Sequence, residues 1–155
     1  MNAPPPDPIR DRLAAAGHEI EPRWLFDKPA MGIFSGYRLV VRRCEIIYRL
    51  EDPETVIIVL YRRLDGPRGN NGFADLVWFL EFLKQGDFGV RRVMGKVDTF
   101  RYRKEGGIST RRLAEFYVRC MGGRIIQHQG EAWIHQELQH IVSPRQYRRQ
   151  QALNF

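Results

Sequence analysis

The chain has 155 residues, of which 43% are hydrophobic and 28% charged, and its formal net charge is +7. That balance is globular and excludes disordered and fibrous classes, and the length suits one domain with one core. No run of about 18 apolar residues occurs, so no membrane-crossing helix is expected.

The N-terminus reads Met-Asn-Ala-Pro-Pro-Pro-Asp-Pro. It lacks the basic and apolar regions of a secretory signal, so a cytoplasmic protein is expected. Residues 1–8 read as a flexible Pro-rich stretch, 9–142 as the domain and 143–155 as a basic tail. Asp7 with Pro8 is an N-cap followed by proline at the first helical position, which predicts a helix from Ile9 to Ala16 that stops at Gly17. His18 to Phe34 reads as irregular, broken by Pro22 and Pro29, with short extended pieces such as Arg23 to Phe26.

Tyr37 to Leu50 and Val56 to Tyr61 are rich in β-branched and aromatic residues and flank the turn sequence Glu51-Asp52-Pro53-Glu54. They predict a β-hairpin whose first arm is bent at Arg42-Arg43. The second arm is apolar at consecutive positions, as in a strand covered on both faces. Asp65 to Gly72 is a loop. Phe73 to Gln85 reads as a helix apolar almost all round, buried on most sides or meeting a partner. Val90 to Val97 predicts a short strand. Ser109 or Thr110 caps a further helix, in which Leu113, Phe116, Tyr117, Cys120 and Met121 form an apolar stripe that ends at Gly122-Gly123. Arg124 to His128 and Glu131 to Leu138 predict a closing hairpin around Gln129-Gly130. The fold class is therefore α+β: one domain with a mixed or antiparallel sheet flanked by helices.

Cys44 and Cys120 sit in apolar runs outside any Cys-x-x-Cys motif and read as reduced, buried thiols. His128, His135 and His140 match no zinc spacing, so no metal is expected. No Ser-His-Asp or Cys-His set is legible, and no catalytic residue is assigned. Arginines occur in pairs: Arg42-Arg43, Arg62-Arg63, Arg91-Arg92, Arg111-Arg112 and Arg148-Arg149. This charge favours acidic partners. Acidic residues are dispersed among the arginines and no nucleic-acid module is present, so nucleic acid is not the expected partner; a DNA-binding regulator is the weaker alternative.

The loop into the Phe73 helix lacks both the P-loop and the dinucleotide glycine patterns. Its Gly72-Phe73-Ala74, following a strand hairpin and preceding a helix and a strand, resembles the pyrophosphate loop of GNAT acetyltransferases. The position that is basic or amide in that family falls on Gly69. The resemblance implies an acyl-CoA site at Gly69, Gly72 and Ala74 and a general acid at Tyr117, whose other reading is a core aromatic.

A second resemblance covers residues 36 to 127. Gly95-Lys96-Val97-Asp98, followed by Ser109-Thr110-Arg111-Arg112-Leu113-Ala114-Glu115-Phe116-Tyr117, is similar to the LcrR/PcrR family of type III secretion proteins. Lys96 stands where that family usually has asparagine. The resemblance implies a cytoplasmic, chaperone-like regulator without enzymatic activity or cofactor. Its partner would be a protein component of the secretion system, such as the needle-tip protein or its chaperone. Arg111, Arg112 and Arg119 on the outer side of the helix, with Asp98, are the expected partner-binding residues.

Overall fold

The computed structural model describes residues 3–25, 28, 30, 32–64, 74–96, 122–141 and 149. Helix α1 (Pro8–Ala15) begins where Asp7 accepts hydrogen bonds from the N–H groups of Ile9 (2.8 Å) and Arg10 (3.2 Å). These bonds satisfy donors that the first turn leaves without partners. Gly17 (φ +89°) ends it: its N–H donates to Ala14 and that of His18 to Leu13, the paired bonds of a Schellman stop. Ile9 and Leu13 are fully buried beneath the helix.

Among the described residues seven strands follow: β1 (Glu19–Trp24), β2 (Phe34–Val41), β3 (Cys44–Asp52), β4 (Thr55–Arg63), β5 (Arg92–Lys96), β6 (Arg124–His128) and β7 (Glu131–Glu137). Helix α2 (Ala74–Gln85) lies between β4 and β5, and a 3-10 turn (Leu138–His140) follows β7. The strands form one sheet in the order β1-β2-β3-β4-β5-β7-β6, antiparallel throughout except for the parallel pair β4 and β5. This is the α+β single domain expected.

Two readings are corrected. The segment read as irregular contains β1, an edge strand that includes Pro22. An edge tolerates proline because one side of the strand donates no ladder hydrogen bonds. The segment read as one bent arm is two strands. Val41 pairs with Cys44, so Arg42-Arg43 is a two-residue reversal, and Arg42 adopts a left-handed φ of 54°. Arginine is an unusual residue for that conformation. Its guanidinium is held by Asp75 of α2 at 2.7 Å, a contact that only the tertiary fold supplies. The closing hairpin is as expected: Gln129 (φ 52°) and Gly130 (φ 77°) are both left-handed, as a two-residue type I′ turn requires.

One face of the sheet makes the main core. Leu39, Ile46, Tyr48, Val56 and Ile58 pack under Leu76, Val77, Phe79, Leu80 and Leu83 of α2 and under α1. The apolarity of α2 is largely met inside the chain. Its far side stacks Trp78 on Phe82, with His18 edge-on to Trp78 (5.1 Å) and Phe88 against Phe82 (5.6 Å). Strand β4 is buried on both faces over Thr55–Ile58, as its continuous apolar run predicts.

Candidate functional site

β4 and β5 are the parallel pair of the described sheet, and α2 lies between them in the chain. Pairing runs from Thr55–Arg92 through Val56–Val93 to Ile57–Met94 and stops there, although both strands continue. Just beyond, Val59 is an extra residue in the β3–β4 ladder, since Ile47 pairs with Leu60 and Tyr48 with Ile58. A bulge of this kind twists its strand and redirects its side chains.

The start of α2 is secured from within. Tyr61 and Leu76 belong to the same buried core cluster. The Cys44 thiol lies 3.7 Å from the Tyr61 oxygen, with the Asp75 carboxylate nearby. Asp75, in the first turn, carries the Arg42 ion pair. Burial, reinforced by Asp75, pushes the Cys44 thiol up to about 12. Burial also raises the Tyr61 phenol well above its ordinary value. At neutral pH both stay protonated, so they serve as hydrogen-bond donors and acceptors and not as nucleophiles.

On the opposite face of the sheet, Glu45 is 4% exposed and sits between Arg38 and Arg62, the latter at 2.8 Å. Burial would raise its carboxyl. Hydrogen bonds from both guanidiniums outweigh that and hold it below the usual range. Glu19 and Glu21 flank Arg38 at 3.6 and 3.7 Å. Further along this face, His135 is buried and its pKa is lowered by desolvation, against the opposing pull of Glu137 at 3.6 Å.

Of the residues singled out from sequence, Ala74 is the first residue of α2, half-buried beside Asp75. Gly69, Gly72, Asp98, Arg111, Arg112, Tyr117 and Arg119 lie outside the described residues. The stretch that carries Asp98, the three arginines and Tyr117 follows β5 and precedes β6 in the chain. Sequence reasoning missed the meeting of two arginine pairs. The β3–β4 register sets Cys44 opposite Arg63 and Glu45 opposite Arg62, and the Leu64 N–H donates to the Arg43 carbonyl at 2.7 Å. Arg42-Arg43 and Arg62-Arg63 thus share one corner of the sheet. The available signal was a charged pair between two apolar runs, which reads as a turn once a reversal is considered.

No curated protein and no solved structure matches the chain significantly. A family model described as "Type III secretion system regulator (LcrR)" matches residues 6–152, nearly the whole chain, beyond the residues 36 to 127 over which the sequence resemblance was read. The protein therefore belongs to the LcrR family of type III secretion system regulators.

Proposed function

We propose that the chain regulates secretion by binding another cytoplasmic component of a type III secretion system, the needle-tip protein or its chaperone, and that it catalyses no reaction. The observation that carries this reading is the family match over residues 6–152. The interface we assign comprises Arg111, Arg112 and Arg119, together with Asp98. Arginine forks suit carboxylates on an acidic partner. Calorimetry with the purified needle-tip protein and with its chaperone tests the reading. Binding of one of them, weakened at least tenfold in R111E/R112E, supports it. No binding of either at about 100 μM overturns it.

A second reading, an acyl-CoA-dependent acyltransferase, is favoured by one observation: β4 and β5 part beyond Ile57 and Met94 next to the bulge at Val59. Gly69, Gly72 and Ala74 would face the pyrophosphate, and Tyr117 would serve as the acid. Against it stands Asp75, whose carboxylate already occupies the first turn of α2, where a pyrophosphate would need positive potential. Absence of heat on titrating acetyl-CoA to millimolar concentration removes this reading.

A further inference from the structure

An aromatic ladder crosses the first three strands. Trp24 of β1 lies edge-on to Phe34 of β2 (5.6 Å), Phe34 edge-on to Tyr37 (5.1 Å), and Tyr37 continues to Tyr48 of β3 (6.2 Å). Phe34 and Tyr37 are three residues apart, a spacing that puts side chains on opposite faces of a regular strand. A bulge removes the conflict. Arg23 pairs with Gly36 and Trp24 with Phe34, which leaves Ser35 as an extra residue and lets both rings meet.

The chain's own proline run sits at the Tyr37 end. The Tyr37 hydroxyl donates to the Pro5 carbonyl at 2.9 Å, across 32 residues of sequence. Burial raises the phenol above its ordinary value, so it stays a donor at neutral pH. Residues 4–6 are Pro-Pro-Pro. Each proline pushes its predecessor out of the helical region, so the run takes the polyproline II form, whose carbonyls have no internal donors. Aromatic-lined grooves take proline-rich segments in this form. The segment is anchored downstream by Asp7, the buried cap of α1. Upstream of Asp7, the Tyr37 bond is the hydrogen bond that holds it among the described residues, and Pro5 and Pro6 are exposed. The ladder runs on past Tyr37 to Phe34 and Trp24, both half-buried, and the neighbouring Ile33 is 48% exposed. Its two ring steps of 5.1 and 5.6 Å match three or four polyproline II residues at about 3.1 Å each.

We propose that the Trp24–Phe34–Tyr37 ladder is a binding site for a proline-rich segment of a protein partner, that Pro4-Pro5-Pro6 of this chain occupies its Tyr37 end in cis, and that the partner binds by displacing them. The seated prolines identify the ligand, since a segment of the same chemistry already satisfies the Tyr37 donor. Three rings, an exposed isoleucine and one neutral donor suit an uncharged, preformed backbone and give a phosphate no cation. Preorganisation of the ligand keeps the ordering cost of the exchange low. The site is separate from Arg111, Arg112, Arg119 and Asp98 and does not depend on the partner proposed for them.

The test titrates the full chain with the synthetic peptide Ala-Pro-Pro-Pro-Asp-Pro, followed by NMR through the Trp24 indole and the β1–β2 amides. A peptide with alanine in place of every proline is the comparison probe. The tethered run competes at an effective concentration in the millimolar range, so wild type should bind weakly. In P4G/P5G/P6G, which loosens the tethered competitor and leaves Asp7 and Pro8 in place, binding should tighten at least tenfold. Adding Y37F, which keeps the ring and removes the donor, should weaken it at least threefold. P5G alone is the milder variant should the triple change impair folding, and thermal melts check each chain. Equal affinity of wild type and the glycine variants overturns the proposal, as does no binding to those variants at millimolar peptide. So do affinity unchanged by Y37F, equal binding of the alanine peptide, and shifts centred away from Trp24, Phe34 and Tyr37. A chain that binds the proline peptide here but neither the needle-tip protein nor its chaperone loses the proposed function and keeps this site. A chain that binds either protein through Arg111 and Arg112 but not the proline peptide does the reverse.

Discussion

Replacing Glu45 by glutamine keeps the side-chain volume and one acceptor but removes the charge that two guanidiniums share. Breaking a buried ion pair costs about 3–5 kcal/mol when the remaining charge is fully desolvated. Here the loss is smaller. Arg38 is 16% exposed and can lean toward Glu19 and Glu21, and Arg62 is 35% exposed and partly screened by water. Roughly 2 kcal/mol is expected, which for a chain of this size is a fall in melting temperature of about 4–8 °C. The carboxyl is depressed from its ordinary value of 4.5 in the folded state. Its contribution is therefore complete above about pH 4.5 and is lost as the pH falls through the lower folded value. Urea denaturation of wild type and E45Q at pH 7 and again near pH 3 measures both effects. The difference should be large at pH 7 and shrink at pH 3, with the denaturant slope unchanged. A difference below about 0.5 kcal/mol at pH 7 would show that the triad is merely a surface arrangement and refute the reasoning.

Asp7 has the opposite sign. Burial raises its carboxyl above the usual 3.8 despite the N–H bonds from Arg10 and Ile9, and the Tyr48 hydroxyl faces it without closing a well-formed hydrogen bond. Its contribution is complete below that value and is lost as the pH rises through the folded one. D7N, which caps equally well without ionising, should therefore match or exceed wild type in thermal stability at pH 7, whereas D7A should lose about 1 kcal/mol; equal melting temperatures for D7N and D7A would contradict this. Gly36 (φ 153°) and Gly17 (φ 89°) should differ on substitution by alanine. A Cβ at Gly36 would lie 2.5 Å from the Tyr48 carbonyl oxygen, while one at Gly17 meets nothing within 4 Å. G17A should cost about 1 kcal/mol and G36A at least about 2 kcal/mol in chemical denaturation, and the reverse order would refute the β2–β3 register. In C120S, the Cys44 thiol, raised to about 12, should resist a thiol-specific dye at pH 8 and react at once in denaturant; fast native labelling would show that the start of α2 opens readily.

The sequence by itself determined what depends on neighbouring residues. Asp7-Pro8 and Gly17 bound α1 because a cap and a left-handed stop are properties of four or five consecutive residues. Gln129-Gly130 set the closing hairpin for the same reason, and the apolar run of β4 announced a strand covered on both sides. Only the tertiary structure decided the rest. Glu19–Trp24 is a strand because β2 lies beside it, with a proline acceptable on an outer edge. Arg42 turns left-handed in a reversal that Asp75 braces from α2, 33 residues away in sequence. The parallel pairing of β4 with β5, the buried triad at Glu45 and the meeting of two arginine pairs at one corner all follow from register. Register is fixed by which apolar faces must coincide, and no stretch of chain carries that information about a partner far from it.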